Sequence, residues 1–320
     1  MNIEQFRTEQ IEPLRQASFS RPHPNFFIVG GMRCGTTSLW AYLRQHPQIY
    51  MPQHKEPIFF CLSHSSRANI RDVKTYLNLF SGVTTEKAIG EASAAYLTSP
   101  ESAELIHATY PDAKIIISLR SPVEQTFSVY QWMIREGWEW IAPFEKALLA
   151  EQERWHDEQF KNDSDYYYVY FYSRFALYSE QIDRYFQLFP RRQVKIILFD
   201  DLKKKPIQTV QDLYAFLEVD PHFVPQIEIQ NKAQIPFWVR GHYFFKKRMP
   251  ALLKRYHIPK PIRKWLTQQA IAMNLSLGRF RDCTLHPATR RELLHRYQND
   301  IRKTSQLIER NLDMWLKEDV

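Results

Sequence analysis

The chain has 320 residues, of which 44% are hydrophobic and 24% are charged. This balance is typical of a globular protein and excludes a chain that is disordered throughout. Only 8 glycines stand against 19 prolines, which excludes a collagen-like or glycine-linker protein. The net charge of +8 favours anionic ligands such as phosphates, nucleic acid or acidic lipid.

Cysteine usage and hydropathy indicate the cellular compartment of the protein. Cys34, Cys61 and Cys283 are far apart and form no CxxC pair, which disfavours a disulfide framework or a zinc ribbon. Residues 1–24 contain several Glu and Gln and no apolar core, so we interpret them as a polar leader rather than a signal peptide. No apolar run approaches the ~20 residues that span a bilayer. We therefore expect a soluble, cytoplasmic protein, with peripheral association to a membrane left open.

Short apolar runs alternate with helical patterns along the chain. The sequence predicts strands at 26–29, 114–119 and 194–199, and helices at 36–46, 122–136, 174–188 and 206–217. The apolar runs are nearly continuous, as in a parallel sheet covered on both faces. This predicts an α/β fold in which helices flank a central, mostly parallel sheet in three layers.

The rest of the chain gives weaker signals of organisation. A helical pattern covers 287–316, with a break expected near Asn299 and Asp300. No stretch is typical of a linker. We therefore predict a single domain over residues 25–320, with insertions at about 132–172 and 232–282.

The most informative segment is 26–43, which reads FFIVGGMRCGTTSLWAYL. Gly30 and Gly31 permit a tight turn after a strand, and Gly35 allows the backbone to come close to a ligand. A helix is then expected to begin at Thr36, and the N–H groups of a helix N-terminus bind phosphate. The alternative is a plain strand–turn–helix connection with a Ser/Thr cap. Gly30 and Gly35 have the spacing of a Walker A loop, but Thr36 stands in place of its lysine, which disfavours a nucleoside triphosphatase.

A second segment, 114–130, reads KIIISLRSPVEQTFSVY. Arg120 falls at the carboxyl end of a predicted strand, and ligands bind at that edge of open α/β sheets. Ser128 lies about two turns into the following helix. The alternative is that Arg120 pairs with a core carboxylate and that Ser128 only fills space.

Taken together, GMRCGTTSL after a strand and Arg-x-Pro…Ser-x-Tyr at 120–130 resemble the phosphate segments of sulfotransferases that use 3′-phosphoadenosine 5′-phosphosulfate (PAPS). The resemblance is closest to the branch of the heparan sulfate and bacterial enzymes, and it implies a P-loop-like fold. It implies PAPS as the donor and 3′,5′-adenosine bisphosphate (PAP) as the product, with no metal required. Gln125 departs from the family pattern, which has an arginine there.

The resemblance also implies a set of nucleotide-binding residues. Around the 5′-phosphosulfate it implies Arg33, Cys34, Gly35, Thr36, Thr37 and Ser38, and at the 3′-phosphate Arg120 and Ser128. Tyr178 is a further expected neighbour of the nucleotide, and Arg279 and Arg281 are expected to reach phosphate from a loop at 278–286.

Three residues are candidates for the base that takes the proton of the acceptor: His54, Glu56 and Glu91. The stretch HKEPIFF at 54–60 resembles the family's KE-x-x-FF segment, whose glutamate is the base in the heparan sulfate branch. Glu56 matches that glutamate, and Lys55 would bind the sulfonate. A carboxylate can act as a base when its surroundings raise its pKa toward neutrality. His54 is the second choice, and a surface ion pair between Lys55 and Glu56 is the structural alternative.

The acceptor is not identified by any motif. The aromatic residues of 132–172 are expected either to line an acceptor channel or to belong to the core. Twelve Lys/Arg and one acid lie between Lys232 and Asp282, interleaved with aromatic residues. This pattern suits an anionic membrane surface or an acidic polymer, or else a solvated face that attracts the nucleotide. The predicted acceptor is a carbohydrate, lipid or secondary metabolite, sulfated on a hydroxyl ahead of an amine. A P-loop-type kinase and a basic nucleic-acid- or membrane-binding protein are the alternatives.

Overall fold

The computed structural model describes residues 2–17, 21–63, 69–164, 167–227, 235–278 and 284–317. Five strands in these ranges form one all-parallel sheet in the order β2-β3-β1-β4-β5. The strands are β1 (Phe26–Gly30), β2 (Ile49–Tyr50), β3 (Ala88–Ala92), β4 (Lys114–Leu119) and β5 (Val194–Leu198). Since β1 lies between β3 and β4, the segments that follow these three strands leave the same edge of the sheet side by side.

Helices connect the strands and make up most of the remaining chain. In the first half they are α1 (Ile3–Phe6), α2 (Glu12–Ala17), α3 (Thr36–Leu43), α4 (Val73–Asn78), α5 (Ser102–Thr109), α6 (Pro122–Arg135), α7 (Phe144–His156) and α8 (Glu158–Asp163). In the second half they are α9 (Tyr172–Phe175), α10 (Tyr178–Leu188), α11 (Phe199–Lys204), α12 (Pro206–Phe216), α13 (Val239–Tyr243), α14 (Met249–Arg255), α15 (Lys260–Leu277) and α16 (Pro287–Leu307).

The chain divides into two compact units. The first comprises Met1–Ser121, Leu177–Gln230 and Asn299–Trp315 and contains the sheet. The second comprises Pro122–Ala176, Asn231–Gln298 and Leu316–Val320, and the elements described in it are helices. The single domain expected for 25–320 stays a prediction.

Alternating side chains of the sheet build the core of the first unit on two faces. Phe26 and Ile28 of β1 face a cluster that includes residues of α3 and α12. Phe27 points to the opposite face, where it packs against Phe60 and Tyr110 at ring-centroid distances of 5.8 Å. The buried strands explain why their sequences are continuous apolar runs. The predicted α/β fold with a central parallel sheet is confirmed.

Several details differ from the predictions. The helix expected over 174–188 is interrupted between α9 and α10. The break expected near Asn299 and Asp300 was wrong, because α16 runs without interruption through them. Asp300 instead accepts hydrogen bonds from the backbone N–H groups of Tyr178 (2.8 Å) and Ser179 (3.1 Å). It therefore caps the N-terminus of α10 from another helix.

The second unit is organised around a buried ion pair. Arg154 of α7 donates two hydrogen bonds to the Glu139 carboxylate, at 2.7 and 3.0 Å, and both side chains are buried. The Tyr172 hydroxyl donates a third bond to Glu139 at 2.8 Å. Several aromatic residues of 132–172 are buried in this unit and therefore belong to its core: Phe144, Tyr168, Tyr170, Phe171 and Tyr172.

Candidate active site

The segment after β1 forms a tight loop that ends at the N-terminus of α3. Gly35 is the N-cap residue of α3 and has φ of +88°, in the left-handed region that favours glycine. A Cβ atom at this position would lie 2.8 Å from the ring of Phe199. The N–H groups of Thr36, Thr37 and Ser38 are in the first turn, where an α-helix offers them no acceptor. The loop therefore presents backbone donors and the positive end of α3 at the edge of the sheet.

Strand β4 supports this loop from below. The Gly31 N–H donates to the carbonyl of Ser118 at 2.6 Å, and the Ser118 hydroxyl donates to the carbonyl of Cys34 at 2.6 Å. The Cys34 N–H donates back to the Gly31 carbonyl at 3.2 Å. The Cys34 side chain is fully buried, and this burial raises the pKa of its thiol to about 11. Cys34 thus stabilises the loop through its backbone hydrogen bonds, and its side chain is buried in the protein.

Tyr178 joins the loop to the end of β4. Its buried hydroxyl donates to the Arg120 carbonyl at 3.0 Å and accepts from the Arg120 N–H at 3.4 Å. The same oxygen lies 3.6 Å from the sulfur of Cys34. One hydroxyl group therefore holds the two sequence segments that were predicted to bind phosphate. Tyr178 therefore supports the candidate site by holding the backbone of its two segments together.

The two candidate arginines follow strands β1 and β4 of the first unit. The Arg120 guanidinium lies over the ring of Phe199, at 5.1 Å from its centroid. Since Phe199 also packs against Gly35, one ring orients Arg120 and closes off the loop. Arg33 has φ of +60°, an uncommon backbone conformation for a residue with a side chain. Thr36 is buried, whereas Thr37 and Ser38 are half-buried.

Three further residues were predicted to bind the nucleotide. Ser128 is a buried residue of α6 and belongs to the second unit. Arg279 and Arg281 lie outside the described residues.

Glu56 lies in a turn with unusual backbone geometry. Glu56 and Ile58 have φ of +63° and +50°. One carboxylate oxygen of Glu56 accepts from the Ala94 N–H at 2.8 Å, and the other pairs with the ammonium group of Lys55. The Glu56 side chain is 34% exposed and that of Lys55 16%. The predicted pair of Lys55 and Glu56 is therefore partly buried and tied to the backbone after β3.

Glu91, at the end of β3, is fully buried next to this turn. Its carboxylate accepts from the hydroxyls of Ser93 (2.6 Å), Tyr96 (2.9 Å) and Tyr76 (3.0 Å). Burial raises the pKa of Glu91 to about 7, against the effect of these hydrogen bonds, and the neighbouring Glu56 carboxylate adds to the increase. A carboxyl group that titrates near neutrality therefore lies within electrostatic reach of Glu56.

The Glu91 network also holds the backbone of the Glu56 turn. The Ser93 hydroxyl accepts from the Ile58 N–H at 3.0 Å, and the Tyr96 hydroxyl accepts from the Phe60 N–H at 3.2 Å. Each hydroxyl donates one hydrogen bond to Glu91 and accepts one from an N–H of the turn. Glu91 thus positions the segment that carries Glu56.

The segment 93–97 connects the Glu56 turn to the loop after β1 (30–35), which we call the phosphate loop after its predicted role. On one side the Ala94 N–H binds the Glu56 carboxylate. On the other side the Leu97 N–H donates to the carbonyl of Val29 in β1 at 2.7 Å. The Ala94 carbonyl also lies 3.2 Å from the place where a Cβ of Gly30 would be. The turn of Glu56 and the loop after β1 are therefore brought together through one short segment of the first unit.

Comparison with known proteins identifies the family of this chain. The family model of the sulfotransferase domain matches residues 23–234, well over half of the chain. The chain belongs to the sulfotransferase family. The match contains β1 to β5, the phosphate loop, the Glu56 turn and Arg120. It favours a sulfotransferase over the kinase and nucleic-acid-binding alternatives.

Similar proteins include both eukaryotic and bacterial sulfotransferases. The membrane-associated sulfotransferase kil1 of Dictyostelium discoideum is 27% identical over 62% of this chain and 56% of its own length. The bifunctional heparan sulfate N-deacetylase/N-sulfotransferase 1 of Caenorhabditis briggsae is 26% identical over 68% of this chain and 25% of its own length. The chain thus matches about half or less of these curated relatives. The crystal structure of a sulfotransferase from Alicyclobacillus acidocaldarius is 32% identical, with a TM-score of 0.70, over 92% of this chain and 100% of the other.

The aromatic pair of the sulfotransferase's KE-x-x-FF-like segment is structural. Phe59 and Phe60 are fully buried, and Phe59 stacks on Tyr76 at a centroid distance of 4.4 Å. They anchor the Glu56 turn by packing in the core. His54 is exposed at the start of the same segment.

Three residues that support the candidate site escaped the sequence analysis. Ser118 supports the phosphate loop, Ser93 links Glu91 to the turn, and Tyr76 binds Glu91 from α4. Ser118 sits in an apolar strand where a lone serine, buried without a hydrogen bond, would be costly, and that is the one signal that could have found it. Nothing in the sequence connects Tyr76 to Glu91.

Two general features concern metals and membranes. Among the residues that the structure describes, no group of three or more His, Cys, Asp or Glu side chains is arranged to hold a metal ion. Within the same ranges, no helix is both long and apolar enough to cross a membrane.

Proposed function

We propose that this enzyme transfers the sulfuryl group of PAPS to a hydroxyl group of its acceptor by in-line displacement, with Glu56 as the base. The observation that carries the proposal is the Tyr178 hydroxyl, which fixes the phosphate loop and Arg120 in one unit. Two separate anchors suit a nucleotide with phosphate groups at both ends of one adenosine. A nucleoside triphosphate, with all its phosphates at one end, would leave one anchor unused.

The residues of the first unit fit such a donor. The N-terminus of α3 with Thr36, Thr37 and Ser38 would hold the 5′-phosphosulfate, since its N–H groups and helix dipole favour an anion. Arg120 would hold the 3′-phosphate by a charged hydrogen bond. Ser128, which the family resemblance predicts as a further ligand, belongs to the other unit. Arg33 is assigned to the bridging oxygen, where negative charge develops as the sulfur–oxygen bond breaks.

Glu56 is assigned to the proton of the acceptor hydroxyl. As the acceptor oxygen bonds to sulfur, its proton goes to the Glu56 carboxylate, and the bridging oxygen leaves with the electron pair of the broken bond. Lys55 would hold a sulfonate oxygen and orient Glu56. His54 remains the second candidate for the base, since it lies two residues away on the same segment.

For the acceptor we propose a carbohydrate, with a lipid or secondary metabolite as the other classes, and a hydroxyl ahead of an amine. The names of the relatives, which include heparan sulfate and carbohydrate sulfotransferases, support the carbohydrate class. The stretch GEASAAY at 90–96 resembles the family's E-K-[ST]-P-x-Y segment, but Ala92 replaces the lysine that the heparan sulfate branch has there, which speaks against a heparan-like polymer. The proposed compartment is the cytoplasm, since Cys34 and Cys61 are free thiols.

Nucleotide preference tests this proposal. PAP at about 100-fold over its dissociation constant should stabilise the chain by about 2.7 kcal/mol, and ATP or 5′-AMP at the same concentration by much less. Thermal unfolding without added metal measures this difference. Arg120→Ala should lose most of the PAP effect, whereas the matched variant Arg192→Ala, an exposed arginine of the same unit, should keep it. Equal stabilisation by ATP, or a requirement for Mg²⁺, would refute the PAPS assignment.

A further inference from the structure

The segment Ile235–Gly278 of the second unit carries an unusual charge. It contains nine lysines and arginines and no aspartate or glutamate, although the whole chain has a net charge of only +8. Most of these cations are exposed, namely Arg240, Lys247, Arg248, Lys254, Arg255, Lys260 and Lys264. No acidic side chain within the segment neutralises them, so the surface attracts an anionic partner.

The longest helix of this segment, α15, also exposes an apolar stripe. Its members are Ile262, Trp265, Leu266, Met273 and Leu277, whose spacing puts them on one face of the helix. They are between 37% and 61% exposed. The helix is held to the unit by another face, which includes the buried Asn274. The apolar stripe is therefore the outer side of a packed helix.

Two more exposed aromatic residues lie beside the C-terminal half of α15. The Asn274 side chain accepts from the Trp238 N–H at 2.8 Å and donates to the Trp238 carbonyl at 3.0 Å. The backbone carbonyl of Asn274 accepts from the Phe237 N–H at 3.0 Å. These bonds fix Phe237 and Trp238 beside the helix, yet both side chains are more than half exposed. On α14, which contacts α15, Leu252 and the following Tyr256 are also exposed. The fold thus holds large apolar side chains outward instead of burying them.

We propose that this surface, formed by α14, α15 and the Phe237–Trp238 segment, docks on an anionic lipid bilayer. Tryptophan and tyrosine rings are favourable at the boundary between headgroups and acyl chains, and leucine, isoleucine and methionine insert just below it. The surrounding cations then bind anionic headgroups. A long helix with an exposed apolar stripe and no acid lies in the plane of the interface.

Two other occupants fit these observations less well. A second copy of the chain in a symmetric contact would place like charges opposite each other, and the segment has no acid to compensate them. A nucleic acid would satisfy the cations, but it offers no apolar phase for Ile262, Leu266 and Met273. The bilayer satisfies both the charges and the stripe.

Vesicle flotation with the full chain tests the proposal. We expect binding to vesicles of phosphatidylcholine with about one third phosphatidylserine, weak binding to phosphatidylcholine alone, and a loss of binding as salt increases. Trp265→Glu should reduce binding roughly tenfold or more, since it puts a charge into the apolar stripe. Its matched control is Leu149→Glu on α7, where the leucine is 77% exposed, and this variant should bind like the unaltered chain.

A second pair of variants tests the charges. Lys254→Glu with Lys264→Glu should reduce binding by about fivefold or more for each cation removed. Each cation near an anionic surface increases the binding constant by about that factor. The control, Arg302→Glu with Lys303→Glu on α16, changes the charge equally at exposed positions of the first unit and should bind normally.

Three results would overturn the proposal. The first is vesicle binding that is the same for the test and control variants. The second is a dimer in solution that Trp265→Glu converts to a monomer, without any binding to vesicles. The third is binding of duplex DNA by a chain that ignores the vesicles. None of these measurements uses PAPS or an acceptor, so their failure leaves the proposed reaction untouched.

Discussion

The buried carboxyl group of Glu91 makes a prediction about stability that depends on pH. Its pKa increases from 4.5 to about 7 in the folded chain, chiefly because of burial. Above pH 4.5 the unfolded chain releases a proton that the folded chain still holds. The free energy of unfolding should therefore fall as pH rises from about 4.5 to 7, and stay lower above pH 7. This increase in pKa corresponds to about 3 kcal/mol.

Glu91→Gln removes this dependence while it keeps the size of the side chain. Its amide oxygen can still accept from the tyrosine hydroxyls, and its NH₂ group can donate to Ser93. The free energy of unfolding of the variant minus that of the unaltered chain should increase by about 3 kcal/mol from pH 4.5 to pH values above 7. This change does not depend on how stable the variant is at pH 4.5. Hydrogen exchange of the β1 and β3 amides, corrected for its intrinsic pH dependence, measures the opening of the unit that contains Glu91.

Glu101→Gln is the matched control, with the opposite sign. Burial alone would raise the pKa of Glu101, but hydrogen bonds from the N–H groups of Ser63 and Leu62 outweigh it and lower the pKa. The stability that Glu101 contributes is present above its unfolded pKa and is lost as pH falls through the lowered value. Glu101→Gln should thus be less stable than the unaltered chain at neutral pH, by a difference that shrinks in acid. If Glu91→Gln instead follows the unaltered chain in parallel from pH 4.5 to above 7, Glu91 does not hold a proton in the folded state and the argument fails.

Two predictions concern the proposed reaction. Glu56→Gln should reduce turnover by about 10²–10⁴-fold with little change in the affinity for PAP, since a base acts only in the transition state, and His54→Ala should be much milder. Full activity of Glu56→Gln together with an inactive His54→Ala would make the histidine the base. Arg120→Ala should weaken PAP binding by about 1.5–3 kcal/mol, whereas Arg33→Ala should reduce turnover more than affinity. Calorimetry and steady-state kinetics on the same samples separate these effects, and an Arg33→Ala enzyme with normal turnover and weak binding would contradict its assignment.

The sequence predicted the strands that are apolar runs, and it missed β2 and β3, which have no such run. β1, β4 and β5 are continuous apolar runs, so their pattern was sufficient. β3 reads AIGEA, with a glycine and a buried glutamate in the middle of the sheet. Gly90 is there because a Cβ would lie 2.1 Å from the ring of Phe26, and Glu91 because three hydroxyl groups satisfy it. Both reasons are tertiary contacts, which local propensity does not contain.

The candidate site was predictable to a similar extent. The phosphate loop and Arg120 follow buried strands, so their positions at one edge of the sheet could be inferred from the strand pattern. The role of Tyr178 as a link between them depends on a helix that begins 58 residues after Arg120. Likewise, the bond between Glu56 and the Ala94 N–H spans 38 residues of sequence. Contacts at such separations come from the packing of elements and leave no local pattern.

Backbone geometry supports the view that two turns are built for function. Among the described residues other than glycine, six have a positive φ. Three of them stand just after a helix, where the left-handed conformation is a common way to end it: Glu218, His257 and Glu309. The other three, Arg33, Glu56 and Ile58, end no helix and lie in the phosphate loop and the Glu56 turn.

A positive φ is unfavourable for a residue with a side chain and persists only where the surroundings enforce it. Here the bonds from β4 enforce the first turn and the Glu91 network enforces the second. Groups that are held in place before the substrate binds need no reorganisation during the reaction, which is what stabilisation of a transition state requires.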